Sequence, residues 1–163
     1  MTREQLKDYG IKDANNMGAA MAPAAVDTIY NHFKDTGRTP KDYDIIATGD
    51  LGKVGKEITT KLLAEYGYDV KDNYIDCGDM IFDDERQKTD SGGSGCGCSA
   101  SVFAGYVYRN MKEGKIRRAL IVSTGAMLST ISPFQGESIP GIAHAISLES
   151  VSGIMDRQKG CRK

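Results

Sequence analysis

The strongest constraint on the fold is the stretch Asp90-Ser91-Gly92-Gly93-Ser94-Gly95-Cys96-Gly97-Cys98-Ser99-Ala100-Ser101, in which glycines and small residues precede an apolar-periodic run. Val102, Phe103, Tyr106, Val107, Asn110 and Met111 follow at the i, i+1, i+4, i+5 spacing of one helical face, and Gly114 marks its end. Such a loop exposes N–H groups, adds the positive end of a helix dipole, and lets a ligand approach the main chain where no Cβ intervenes. It is a candidate site for a small anion. The same residues also permit a plainer role, in which the glycines only let the helix N-terminus pack closely against a neighbouring element.

The rest of the chain reads as alternating helices and strands. Met1 to Asn16 is polar and charged and predicts a lead-in with little structure of its own. Ala22, Ala25, Val26, Ile29, Tyr30 and Phe33 share one helical face, with Pro23 in the first turn and Gly37 beyond the end. Tyr43 to Gly49 is a short apolar run between breakers and predicts a buried strand. A second helix follows, with Val54, Ile58, Leu62, Leu63 and Tyr66 as its inner face and Gly67 as its stop. Asn73 to Gly78 fits a short strand, and Asp79 to Lys88 a charged, exposed connector. Arg118 to Gly125 is the clearest strand, and Gly141 to Glu149 alternates large with small residues, as a strand with two unlike faces does. This order predicts an α/β fold with a mostly parallel central sheet, flanking helices and a final hairpin-like pair. A strand is missing at the front of that order.

Length and charge narrow the function. A chain of 163 residues fits one domain with a real core. A net charge of -1, with Lys and Arg scattered, gives no basic surface for nucleic acid. The longest apolar run, Ala119 to Val122, is far short of a membrane span, and no signal-peptide core opens the chain, so a soluble, cytosolic protein is expected. Four cysteines, two of them in Cys96-Gly97-Cys98, do not make a disulfide framework and predict free thiols.

Other constellations are weaker. Gly49-Asp50-Leu51-Gly52-Lys53-Val54-Gly55-Lys56-Glu57 resembles a phosphate loop, but its glycine spacing is one residue too long and Glu57 stands where a magnesium-binding hydroxyl belongs. Asp50 and Lys53 nevertheless occupy a strand-to-helix turn, where ligands of open α/β sheets bind. Cys77, Cys96, Cys98, Cys161, His32 and His144 lack the paired spacing of a zinc site, and no metal is expected. His144, between Ile142 and Ile146, reads as a core or interface histidine. Asp90 and Ser91 present a carboxylate and a hydroxyl beside the glycine amides, an arrangement suited to a small polar molecule or its calcium complex.

Three blocks, Asn15 to Ala25, Asp90 to Ala100 and Gly136 to Ala145, resemble in the same order the stage V sporulation protein AD family of endospore formers. That family is thiolase-like and related to the initiating ketoacyl synthases, and the likeness runs from about Tyr9 to Glu149. It implies that residues 17–149 are the C-terminal half of a duplicated thiolase-like fold, with residues 1–16 as lead-in and 150–163 as a flexible tail. Such a half is expected to associate with itself or with the missing N-terminal half. In catalytic relatives a His and an Asn from this half serve the reaction; here the matching turns read Gly49-Asp50 and Gly93-Ser94-Gly95-Cys96, with neither. The resemblance therefore implies no enzyme and no cofactor. It implies binding of dipicolinic acid, free or as its calcium chelate, for loading the developing spore. Other stage V sporulation A proteins would be its partners at the cytoplasmic face of the spore inner membrane. Asp90 and Ser91 are the expected ligand-binding side chains, Gly92, Gly93 and Ser94 the backbone donors, and Asp50 the contribution of the facing turn. Two alternatives stand beside this: a degenerate acyltransferase using Cys96 or Cys98, and a half-domain that only completes a complex.

Overall fold

In a computed structural model the described residues are 3–83, 85–93, 95–129, 131 and 135–150, with side chains from Leu6 onward. The apolar runs Ile45-Ile46-Ala47 and Ala119-Leu120-Ile121-Val122 lie in the interior of a five-stranded sheet. β2 (Ile45–Thr48) lies parallel to β4 (Arg118–Ala126), with Ile46 opposite Leu120. β5 (Gly141–Glu149) runs antiparallel on the other side of β4, with Val122 opposite Ala145. β3 (Tyr74–Asp76) adds parallel to β2, and β1 (Arg3–Lys7) adds antiparallel to β5, giving the order β1-β5-β4-β2-β3.

Two expectations change here. The sheet is mixed rather than mostly parallel, because two of its four pairings are antiparallel. The polar lead-in is not without structure either. Arg3–Lys7 is the edge strand that the element order lacked, held by its backbone ladder to β5. An edge strand need not bury a face, and Leu6 is 55% exposed, so no apolar alternation marks it. Of the expected tail, Ser150 is described and its N–H donates to the Arg117 carbonyl; residues 151–163 lie outside the described residues.

One sheet face is covered by α1 (Met17–Thr36) and α2 (Gly52–Glu65). α1 begins five residues earlier than its apolar rhythm suggests, because Asn16 caps it by accepting from the Ala19 N–H at 3.2 Å. Pro23 thus falls in the second turn, not the first. Ile29, Phe33, Ile46, Leu63 and Leu120 meet beneath it in one fully covered core. His32 is a core histidine, with Nε2 2.5 Å from the Tyr43 hydroxyl, and burial together with Arg38 lowers its pKa.

The inner face of α2 departs from the apolar spacing. Gly55, Thr59 and Leu63 are buried, whereas Val54 and Tyr66 are exposed. The reason is distance: a Cβ on Gly55 would lie 2.8 Å from the Gly18 carbonyl oxygen, and one on Gly18 2.2 Å from the Leu51 carbonyl oxygen. The two helices touch backbone to backbone, and only small residues fit between them.

On the opposite face sit α3 (Cys77–Met80) and α4 (Cys98–Val102), the latter running through a π-helical stretch, Phe103–Val107, into α5 (Tyr108–Lys112). Val102, Val107, Cys77 and Cys98 pack on Ile45, Ala47 and Ala119. This layer covers only part of its face, and Ile146 on β5 stays 48% exposed. No helix among the described residues is long and apolar enough to cross a membrane.

Two glycines give opposite tests of this packing. Gly18→Ala should cost about 1–3 kcal/mol by forcing α1 off α2. Gly105→Ala, where a Cβ meets nothing within 4 Å, should add about 0.5–1 kcal/mol by stiffening the unfolded chain. Urea denaturation of both variants against the parent chain reads the two signs.

Candidate functional site

The carboxyl ends of β2 and β3 place the turn Gly49 to Lys53, the turn Asp76 to Asp79 and the loop Asp90 to Gly93 against one another. Asp76, the last residue of β3, is fully buried. Its carboxylate accepts from the Thr48 hydroxyl at 2.7 Å and from the N–H groups of Leu51 (3.1 Å), Gly52 (2.8 Å), Gly78 (3.0 Å) and Asp79 (3.2 Å). It therefore caps α3 and also occupies the N-terminus of α2, where an external anion would otherwise be drawn. Burial raises its pKa, a push opposed by the donors from Thr48, Gly52, Leu51 and Asp79. Since the one proton of Thr48 goes to Asp76, the Tyr74 hydroxyl must donate to Thr48, 2.8 Å away.

The glycine loop closes over this capped turn. The Gly92 N–H donates to the Thr89 carbonyl at 2.9 Å and the Gly93 N–H to the Gly78 carbonyl at 3.2 Å. Lys53 N–H donates to the Ser91 carbonyl at 2.6 Å, and Gly78 N–H also reaches the Gly49 carbonyl at 3.1 Å. The expectation that Gly92 and Gly93 offer amides to a ligand is thus corrected, because both are spent inside the protein. Their missing Cβ atoms serve close packing instead. A Cβ on Gly92 would lie 2.7 Å from the Gly78 carbonyl oxygen, one on Gly78 2.9 Å from the Gly93 Cα, and one on Gly52 2.2 Å from the Ser91 carbonyl oxygen. Gly92 and Gly93 also hold φ values of 77° and 96°, in the left-handed region.

Among the remaining candidates the side chains are better placed than the amides. Asp50 is half-buried, and its Oδ1 accepts from the Thr124 hydroxyl at 3.4 Å, a long bond that ties the β2 turn to the end of β4. Asp90 is exposed at φ 51°, a conformation that aspartate tolerates better than most residues. Ser91 is half-buried. Neither the Asp90 carboxylate nor the Ser91 hydroxyl makes a hydrogen bond to another described side chain or backbone group. Ser94 lies outside the described residues. The contact of Gly78 with both Gly93 and the Asp50 Cα shows that the loop and the Asp50 turn are neighbours.

The thiols divide by environment. Cys96 is exposed, while Cys77 and Cys98 are buried. Burial, with Asp76 next in effect, pushes the Cys77 thiol up to about 12. No group of three or more His, Cys, Asp or Glu among the described residues could hold a metal ion by itself. The position that sequence reasoning overlooked is Asp76. Its signal was present, since an aspartate followed two and three residues later by Gly78 and Asp79 has the form of a helix cap.

Comparison with known proteins yields two findings. The family model for stage V sporulation protein AD (SpoVAD) matches residues 1–149. Stage V sporulation protein AD of Bacillus subtilis (strain 168) is 47% identical over 149 residues, which are 91% of this chain and 44% of that protein. The chain thus spans less than half the length of the curated relative it matches.

Asp76→Ala strands the buried amides of Leu51, Gly52 and Asp79 and should destabilise the fold by about 3–5 kcal/mol. Asp90→Asn, which keeps a residue that tolerates the left-handed backbone at an exposed position, should change stability by less than about 0.5 kcal/mol. Chemical denaturation with tyrosine fluorescence separates the two. In an independent check, iodoacetamide at pH 8 should modify Cys96 rapidly and leave Cys77 unlabelled until the protein unfolds, because Cys77 is buried and its burial disfavours the thiolate. Mass spectrometry of the digested protein locates the label.

Proposed function

The chain belongs to the stage V sporulation protein AD family, and from that premise we propose that it is a non-catalytic, thiolase-like half-domain that acts in spore formation by holding dipicolinate as its calcium chelate. The observation that carries this reading is that the turn bearing Asp50 and the loop bearing Asp90 and Ser91 meet backbone to backbone at one junction at the carboxyl ends of the strands. A free dianion needs N–H donors, and those of Gly92 and Gly93 are spent. Two carboxylates repel a free dianion, but both are ligands for a calcium ion that the dianion already holds. Calcium takes roughly six to eight oxygen-type ligands, more than a planar tridentate chelator fills, and protein carboxylates and hydroxyls suit the open positions. The geometry therefore favours the chelate over the free acid.

The same reading assigns partners. The uncovered part of the sheet, where Ile121, Ile146 and Leu148 line a groove of about 300 Å³ with Phe103, suits a second α/β half, whether the N-terminal half of the family's longer chain or a second copy. Other stage V sporulation A proteins at the cytoplasmic face of the spore inner membrane complete the picture, met through protein contacts. The acyltransferase alternative would rest on Cys96, the exposed thiol among the described residues.

Calorimetric titration of dipicolinate, with and without calcium, tests the reading on the parent chain and on Asp50→Asn, Asp90→Ala and Ser91→Ala. Binding with calcium should be tighter than without, and Asp90→Ala should weaken it by about tenfold, the loss of one charged ligand. Equal affinity in all four proteins would remove the site. Absence of heat in every arm would remove dipicolinate.

A further inference from the structure

About 20 Å along α2 from the turn just described, taking a helix rise of about 1.5 Å per residue, a separate cavity of about 260 Å³ opens between α1, the end of α2 and the segment after β1. Its walls include Pro23, Tyr30 and Asp27 from α1, Leu62 and Tyr66 from the α2 end, and Tyr9. Tyr30 and Tyr66 pack ring against ring, 4.7 Å between centroids, as one continuous aromatic wall. Asp27 is the carboxylate of this cavity, and its side chain is only 21% exposed.

We propose that this cavity binds a small organic cation, an alkylammonium or quaternary ammonium group, with its charge at Asp27 and its hydrocarbon against the tyrosine wall. Three observations point the same way. First, among the described residues the lining joins several aromatic rings to a single carboxylate, the combination that attracts a weakly hydrated cation through ring quadrupoles and charge together. Second, the chain's own ammonium groups already sit at these surfaces. Lys7 Nζ is 3.3 Å from Asp27 Oδ1, and Lys34 Nζ lies 5.7 Å from the Tyr30 ring centroid. Third, Asp27 is held in place without being saturated. Asn31 Nδ2 donates to its Oδ2 at 3.1 Å and to its carbonyl at 2.8 Å, which fixes the rotamer, while a carboxylate can accept about four hydrogen bonds.

Size and competition set the ligand class. The volume falls just below the range of roughly 300–1,000 Å³ that takes drug-sized ligands, so a compact cation fits and a nucleotide does not. Lys7 is the competitor, but its side chain is 34% exposed, and an ion pair of that kind is weak enough for an incoming cation to displace. A neutral molecule of the same shape gains the wall contact and leaves the carboxylate with Lys7.

Choline and its neutral isostere 3,3-dimethylbutan-1-ol are the probes, titrated to about 50 mM because a solvent-open site of this kind should bind in the millimolar range, with amide chemical shifts and tyrosine fluorescence as readouts. Choline should give saturable shifts confined to residues around Asp27 and Tyr66, and the isostere should bind at least about fivefold more weakly. Asp27→Asn should weaken choline by about tenfold. Tyr66→Leu keeps an apolar side chain at a position 55% exposed, so it leaves the fold intact, and it should weaken choline by about threefold. Equal binding of choline and the isostere, affinity unmoved by Tyr66→Leu, or no saturable shift at these residues would each overturn the proposal. None of these outcomes bears on dipicolinate, whose junction lies at the other end of α2.

Discussion

One buried carboxylate holds the working end of this fold together. Asp76 ends the shortest strand, yet five donors from three different segments converge on it. Two of them open α2 and two open α3, so a single negative charge answers two helix dipoles at once. That economy explains why neither helix uses a serine or threonine cap of its own, and why Thr48, at the end of β2, turns its hydroxyl inward. An unpaired amide at this depth would cost about as much as a whole hydrogen bond contributes, so the five bonds stand or fall together.

The glycines follow from that carboxylate. To reach Asp76, the turns after β2 and β3 must come within backbone contact of each other and of the loop above them. Gly52, Gly78 and Gly92 stand where any Cβ would strike a carbonyl or a Cα. A glycine-rich loop before a helix looks the same in sequence whether its amides face a ligand or another turn. Here the anion it implied does exist, but it belongs to the protein.

Much of the scaffold could be read from residue spacing, and the exceptions share one cause. α1, β2, β4 and β5 bury wide apolar faces, and periodicity reveals them. β5 is the clearest case, with Ala143 and Ala145 buried beneath α1 and Ile142, His144 and Ile146 on the other side. What escaped notice buries little apolar surface. β1 is an edge held by its ladder, and the inner face of α2 carries Gly55 where α1 lies so close, with Thr59 and only Leu63 as a large buried apolar side chain. Asp76 went unseen because an isolated aspartate carries no period at all. The Asp50 turn and the Asp90 loop could be paired from sequence only through the family likeness, since about 40 residues separate them.

These constraints also decide what the junction can hold. Once the amides of Gly92 and Gly93 are committed, positive potential at the junction is no longer supplied by the loop backbone, and Asp50, Asp90 and Ser91 bring oxygen ligands to it beside Lys53. A rigid, internally satisfied backbone beneath exposed carboxylate and hydroxyl groups is poor at trapping a bare anion, since it offers nothing to replace the lost hydration. It is far better suited to a guest that brings its own cation. In the proposed complex the ion bridges two sets of oxygens that would otherwise repel, with the capped turns below as a fixed support.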